Sequence, residues 1–207
     1  MGIFNHFVKN HVDLFKFQKA EVVHPHDKFL YRVFMKTWPR SITPNKITAF
    51  RVVATPIVFY LILNRMYEIG MVAFLFTAFT DALDGSLARS RDQITKFGMV
   101  FDPLADKLLI GSIVLLLVFK YFDPLLGLSI LGIEIIFILS ALVARVKFRT
   151  VKMANNWGKI KMILQVIAVF ATLSAILLDA PNLFTFAAWT FGIAIGFAVV
   201  SLFAHGL

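Results

Sequence analysis

The 207-residue chain is 59% hydrophobic and 16% charged, with 23 Phe and a mean hydropathy of +0.80. A water-soluble domain carries about a quarter charged residues, so this composition excludes one. Cysteine is absent, which excludes disulfides and thiolate metal centres. In so apolar a chain the net charge of +9 is read by where it falls relative to a membrane, and no nucleic-acid partner is expected.

Residues 1–40 form a separate basic segment. Phe4, Phe7, Val8, Val12, Leu14, Phe15 and Phe17 interleave with Lys9, Lys16 and Lys19, the pattern of one or two amphipathic helices lying on a membrane surface rich in anionic lipid. Pro25 and Pro39 punctuate it, and His24 and His26 have no third ligand nearby, so they read as solvated. No apolar run precedes a small-residue cleavage site, so a cleavable signal peptide is not expected. Residues 41–207 read as an all-α integral membrane domain of six transmembrane helices, at about 47–64, 69–89, 103–122, 124–144, 160–178 and 183–204, most of them near the ~20 residues that span a bilayer.

The basic residues give this domain an orientation. With the N-terminus in the cytoplasm, residues 1–46 with Arg51, the 89–107 stretch and the 145–161 loop hold 9, 4 and 6 Lys/Arg, 19 of the 21. Only Arg65 and Lys120 fall on the other side. This positive-inside asymmetry sets the orientation, and a bacterial cytoplasmic membrane is the expected location.

Within the membrane domain four acids stand close in sequence: Asp81, Asp84, Asp102 and Asp106. One Asp at membrane depth costs about 2.5–3.5 kcal/mol, so four require compensation. Hard divalent cations take oxygen ligands, and an all-carboxylate set favours Mg²⁺, Mn²⁺ or Ca²⁺ over zinc. Asp81 and Asp84 share a helix face at i, i+3, and Asp102 and Asp106 share one at i, i+4. Two facing helices joined by a short loop then converge all four on a dimetal site. Gly85 and Ala88 allow close approach, and Arg89 suits bidentate phosphate contact. Two metals can clamp a phosphoryl group, and one acid could take a proton from an attacking hydroxyl. Gly98 and Pro103 bracket the expected start of the third helix. Interhelical salt bridges and a divalent-cation transporter are the rival readings of such acids.

The run D-x2-D-G-x2-A-R-x8-G-x3-D-x3-D, Asp81 to Asp106, resembles the signature of the CDP-alcohol phosphotransferase (CDP-alcohol phosphatidyltransferase) family at every fixed position. The resemblance implies divalent-metal-dependent displacement of CMP from a CDP-linked substrate by an alcohol. It implies that Asp81, Asp84 and Asp102 bind one Mg²⁺ (or Mn²⁺) ion, that Asp81, Asp102 and Asp106 bind a second, and that Asp106 is the general base. Gly85, Arg89 and Thr95 would contact the cytidine diphosphate. Thr43–Arg51 is similar to the family's P-N-x-x-T-x-x-R segment, which adds Asn45, Thr48 and Arg51 to the nucleotide site. A homodimer is a further implication of the family.

Two stretches bear on the acceptor. Phe101–Leu109 and Asn156–Gln165 look similar to the phosphatidylglycerophosphate synthase branch and the related cardiolipin synthase branch. The first implies CDP-diacylglycerol as donor and glycerol 3-phosphate as soluble alcohol acceptor; inositol phosphate, serine or phosphatidylglycerol are the alternatives within the family. The acid-free 145–161 loop would attract an anionic acceptor, with Arg145 and Lys159 as candidate phosphate contacts. Glu134 is an intramembrane acid read as part of the acceptor site. One departure stands out: Ile133 precedes Glu134 where the phosphatidylglycerophosphate branch has Arg before Glu, and Ala144–Phe148 lacks that branch's Arg-Glu-Trp.

Overall fold

A computed structural model describes residues 25–39, 41–91, 96–148 and 156–206. Most of the basic N-terminal segment, Thr95 and the middle of the 145–161 stretch lie outside them. All regular structure among the described residues is helical. A short helix α1 (Pro25–Leu30) runs into a π-helical turn (Tyr31–Met35), and six long helices follow: α2 (Pro44–Leu63), α3 (Tyr67–Ser90), α4 (Lys96–Tyr121), α5 (Pro124–Phe148), α6 (Asn156–Leu177) and α7 (Pro181–Gly206).

Helix starts follow local chemistry. Prolines open α2, α5 and α7, where a missing N–H costs nothing because the first turn has no intrahelical acceptor for it. The α2–α3 connection is tight: Arg65 takes a positive φ of 62°, and a Cβ on Gly70 would stand 2.7 Å from Ile62 Cγ1, so only glycine lets the two helices approach there.

Among the described residues, four helical stretches are long and apolar enough to cross a membrane: Pro44–Leu63, Tyr67–Ser90, Trp157–Leu177 and Pro181–Leu202. In α5 the described apolar stretch is Pro124–Ile136. Helix α4 has the length of a span, but Asp102, Asp106, Lys107 and Lys120 break its apolar run. Val53, Ile57, Val72, Phe76, Ile163 and Trp189 point outward and stay exposed, as lipid-facing side chains do. The protein is an integral membrane protein. At the Arg65 end, Lys120 lies over the Tyr67 and Tyr121 rings and donates to the Tyr67 hydroxyl at 3.0 Å, an aromatic cluster of the interfacial type.

One apolar core joins the bundle: Val58 and Ile62 of α2, Phe74 of α3, Leu109 to Val118 of α4, Ile130 of α5, Val169 and Leu173 of α6, and Phe191 of α7. A second, smaller cluster packs Met35 against Ile47, Leu83 and Leu87, docking the N-terminal segment on α2 and α3. Helix α2 touches α3 and α4 far more extensively than those two touch each other. The expected pair of facing acid helices is therefore a three-helix arrangement with α2 between them.

Two boundaries differ from expectation. Helix α4 starts at Lys96, so Gly98 and Pro103 lie inside it and do not bracket its start. Lys159 and Lys161, assigned by charge to a loop, are in the first turns of α6, and Arg145 and Lys147 are in the last turns of α5. Charge density suggested a solvated loop, but a buried lysine is tolerated where an acid meets it.

Candidate active site

The buried stripe of α2 runs Pro44, Ile47, Thr48, Arg51, Ala54, Thr55, Val58 and Ile62, a 3.6-residue period that carries three polar side chains, Thr48, Arg51 and Thr55, into the bundle. Arg51 is fully buried at the centre of the four acids. Its Nη2 donates to Asp84 Oδ2 at 2.6 Å, its Nη1 to Asp81 Oδ1 at 3.1 Å and to Asp106 Oδ1, and its Nε lies 3.5 Å from Thr80 Oγ1. One turn earlier, Thr48 Oγ1 is 2.6 Å from Asp102 Oδ1, 3.3 Å from Asp84 Oδ2 and 3.2 Å from the Pro44 carbonyl. Its single proton serves Asp102, the shortest of the three contacts.

The four carboxylates thus share one volume, with two on α3, two on α4 and the neutralising groups on α2. Asp84 is buried, whereas the Asp81 side chain is 38% exposed, so the cluster opens on the Asp81 side. Four acids against one guanidinium leave a formal excess of three negative charges. Among the described residues no three acids already surround one point as a metal cage, because the Arg51 guanidinium lies between them. The donor set nevertheless fits a hard divalent cation: every donor is a carboxylate oxygen, and the negative excess has no other described counter-charge in contact.

The DGSLAR stretch sits on the last turns of α3. Gly85 underlies Arg89: a Cβ there would be 3.4 Å from both Nη1 and Nη2. Arg89 in turn donates from Nε and Nη2 to Asp27 at 2.8 and 2.6 Å, and Ser86 donates to the same carboxylate at 2.7 Å. Lys159 is within charge-interaction range of Arg89, Asp27 and Asp81, which brings this predicted phosphate contact to the site. Asn45 stands in the first turn of α2, half-buried. Thr95 and the side chain of Arg145 lie outside the described residues.

Glu134 is elsewhere in the bundle. It pairs with Lys161, which is 7% exposed, and accepts from Gln165 Nε2 at 3.3 Å. The three line a small, partly open cavity of about 10 Å³, about the size of one water, together with Ile130, Phe191 and Ala198. Lys107 of α4 is within electrostatic reach of both Glu134 and Lys161.

Sequence reasoning missed Asp27, Ser86 and Thr80 as partners of the site. Thr80 and Ser86 were within reach: Thr80 is one turn from Asp84 on the buried face, and Ser86 lies inside the motif. Asp27 had no signal, because a lone acid in a basic segment has no period to place it.

Comparisons with known proteins identify the family of the chain. A family model described as CDP-alcohol phosphatidyltransferase matches residues 41–201. A Pseudomonas fluorescens protein named CDP-diacylglycerol–glycerol-3-phosphate 3-phosphatidyltransferase is 38% identical over 174 residues, 79% of this chain and 83% of that one. A Rickettsia felis protein of the same name is 38% identical over 80 residues, 37% of this chain and 44% of that one. A Drosophila melanogaster protein named probable cardiolipin synthase (CMP-forming) is 38% identical over 99 residues, 47% of this chain and 31% of that one. The matched region thus spans less than half of two of these relatives and most of the third. With the matched model covering α2 to α7 and the whole acid cluster, the chain belongs to the CDP-alcohol phosphatidyltransferase family.

Proposed function

We propose that the protein transfers the phosphatidyl group of CDP-diacylglycerol to glycerol 3-phosphate, forming phosphatidylglycerophosphate and releasing CMP. The observation that carries this reading is the 38% identity with the Pseudomonas protein of that name across 79% of the chain. The acceptor hydroxyl attacks the phosphorus that bears diacylglycerol. A new oxygen–phosphorus bond forms there, the bond from that phosphorus to the bridging diphosphate oxygen breaks, and CMP leaves with the electron pair.

The residues divide this work. Asp106 accepts the proton of the attacking hydroxyl. Asp81, Asp84, Asp102 and Asp106 would hold divalent cations, Mg²⁺ or Mn²⁺ and two in number. Bound there, such ions neutralise the diphosphate and the developing charge on the leaving oxygen. Arg51 is the counter-ion of the same acids, and Thr48 orients Asp102. Gly85 leaves room over the helix for the donor, and Arg89 contacts its phosphates. Asn45, Thr48, Arg51 and Thr95 complete the nucleotide pocket. Lys159 and Arg145 attract the phosphate of the acceptor. Glu134 acts on the acceptor side through Lys161. Positioning and charge neutralisation supply most of the rate enhancement.

In this reading all six long helices cross the cytoplasmic membrane and the acid-bearing end faces the cytoplasm, where glycerol 3-phosphate and CMP are soluble. The first 40 residues lie on the membrane surface, the lipid tails of the donor stay in the bilayer, and the protein works as a homodimer. The match to the cardiolipin synthase-named relative favours phosphatidylglycerol as the second candidate acceptor. The deciding experiment is CMP release by purified protein with CDP-diacylglycerol and Mg²⁺ across a panel of alcohols. Release with glycerol 3-phosphate alone supports the proposal. Release only with phosphatidylglycerol, inositol phosphate or serine moves the acceptor, and no release with any alcohol sinks the transferase reading.

A further inference from the structure

Asp27 precedes the family match, which begins at residue 41, yet it is bonded to the centre of the motif. Its side chain is fully buried. Both oxygens are used: Oδ2 accepts from Arg89 Nε at 2.8 Å, and Oδ1 accepts from Arg89 Nη2 at 2.6 Å and from Ser86 Oγ at 2.7 Å. This is the side-on, two-point geometry that fixes a guanidinium in one orientation. The grip uses the Nε/Nη2 edge and leaves Nη1 without a hydrogen bond to any described residue. The Arg89 side chain is 26% exposed, whereas Asp27 is fully buried.

The docking of this segment does not depend on Asp27 alone. Arg91 Nη2 donates to the Trp38 carbonyl at 2.8 Å and Nη1 reaches the Ile42 carbonyl at 3.3 Å. Phe34 meets Phe79 edge-on with ring centres 5.4 Å apart, and Met35 is buried against Leu83 and Leu87. The segment is latched on α3 at several points, and the latch delivers a carboxylate to Arg89. A long side chain held this way loses its rotamer freedom before a ligand arrives, which lowers the entropy cost of binding. Lys159 is within charge-interaction range of both members of the pair and adds a second cation beside Arg89.

We infer that Asp27 is a positioning residue for the CDP-linked donor: it holds the Arg89 guanidinium over Gly85 with one edge ready for the diphosphate, and residues 25–39 are part of the donor site. This rests on the transferase reading for its kinetic consequence but not for its binding consequence. The test uses the full chain in detergent with Mg²⁺, as wild type, Asp27→Ala, Asp27→Asn and Asp27→Glu. Calorimetric titration with CDP is the first readout; KM for CDP-diacylglycerol, KM for the acceptor and kcat are the second; the melting temperature is the third. Asp27→Ala and Asp27→Asn are expected to weaken CDP binding and raise the donor KM by about tenfold, the loss of one charge-assisted orientation. Acceptor KM and kcat stay within about twofold, and Asp27→Glu regains part of the affinity because it restores the carboxylate. Should Asp27→Ala fail to fold, Ser86→Ala, which removes the Ser86 bond to Asp27 Oδ1, is expected to weaken CDP binding by a few fold. Unchanged CDP affinity in the folded variants overturns the inference. Tighter CDP binding also overturns it, since Asp27 would then compete with phosphate for Arg89. A wild type that binds CDP but releases no CMP with any alcohol defeats the transferase reading while the titrations still decide the role of Asp27.

Discussion

Arg51 Nη2 lies 2.6 Å from Asp84 Oδ2, with the arginine fully buried and the aspartate 2% exposed. The same guanidinium bonds Asp81 and Asp106, so a single cation from α2 ties α3 to α4. Removing one partner of a buried ion pair costs about 3–5 kcal/mol, because the remaining charge is left unpaired. Arg51→Ala is expected to lower stability by that amount in EDTA, and Mg²⁺ is expected to return a large part of it by binding the orphaned acids. Melting curves in EDTA and in Mg²⁺ decide the point. An equal melting temperature of variant and wild type in EDTA would show that Arg51 is not the counter-ion.

Asp106→Asn removes the proposed base while keeping the side-chain shape. Turnover is expected to fall by at least about a hundredfold, the lower range for loss of general base catalysis, with CDP binding largely kept. Steady-state kinetics alongside CDP titration measure both. Near-normal turnover would remove the base assignment.

Chelation tests the proposed ions directly. EDTA is expected to abolish CMP release, and Mg²⁺ or Mn²⁺ to restore it, because four carboxylates cannot approach a diphosphate without compensation. Activity that survives exhaustive chelation would exclude a divalent-ion requirement.

A methyl on Gly85 would stand 3.4 Å from the Arg89 guanidinium, at the near edge of ordinary contact, and would fill the space over the helix there. Gly85→Ala is expected to leave the melting temperature near wild type, since alanine favours the helix by about 1 kcal/mol. It is expected to raise the donor KM. A variant with unchanged donor KM would show that the space over Gly85 is not used by the donor.

Glu134 and Lys161 form a second buried pair within the bundle. Glu134→Ala alone is expected to cost about 3 kcal/mol or more, while Glu134→Leu with Lys161→Met recovers most of it, as apolar replacements of buried pairs do. A double-mutant cycle on thermal unfolding measures the coupling. If the double variant is as unstable as Glu134→Ala, the pair is not the source of the cost. Loss of turnover in a stable double variant would support the acceptor-side role.

The membrane character and the motif were legible in the sequence because both are local. Apolar runs near 20 residues mark helices wherever they pack, and the i, i+3 and i, i+4 spacings put Asp81 with Asp84 and Asp102 with Asp106 before any fold is known. Arg51 entered the expected site only through the resemblance of Thr43–Arg51 to the family's P-N-x-x-T-x-x-R segment. Its partners were not legible. Which helix lies between two others depends on how whole faces pack, and local sequence carries no record of that. Only the tertiary structure decided that α2 wedges between the acid helices, so that Arg51 and Thr48 meet all four carboxylates. It also moved Lys161 from an imagined loop to a pair with Glu134, because the acid that makes its burial tolerable is 27 residues away. Asp27 is the clearest case: 62 residues separate it from Arg89, and only folding brings that carboxylate to the motif.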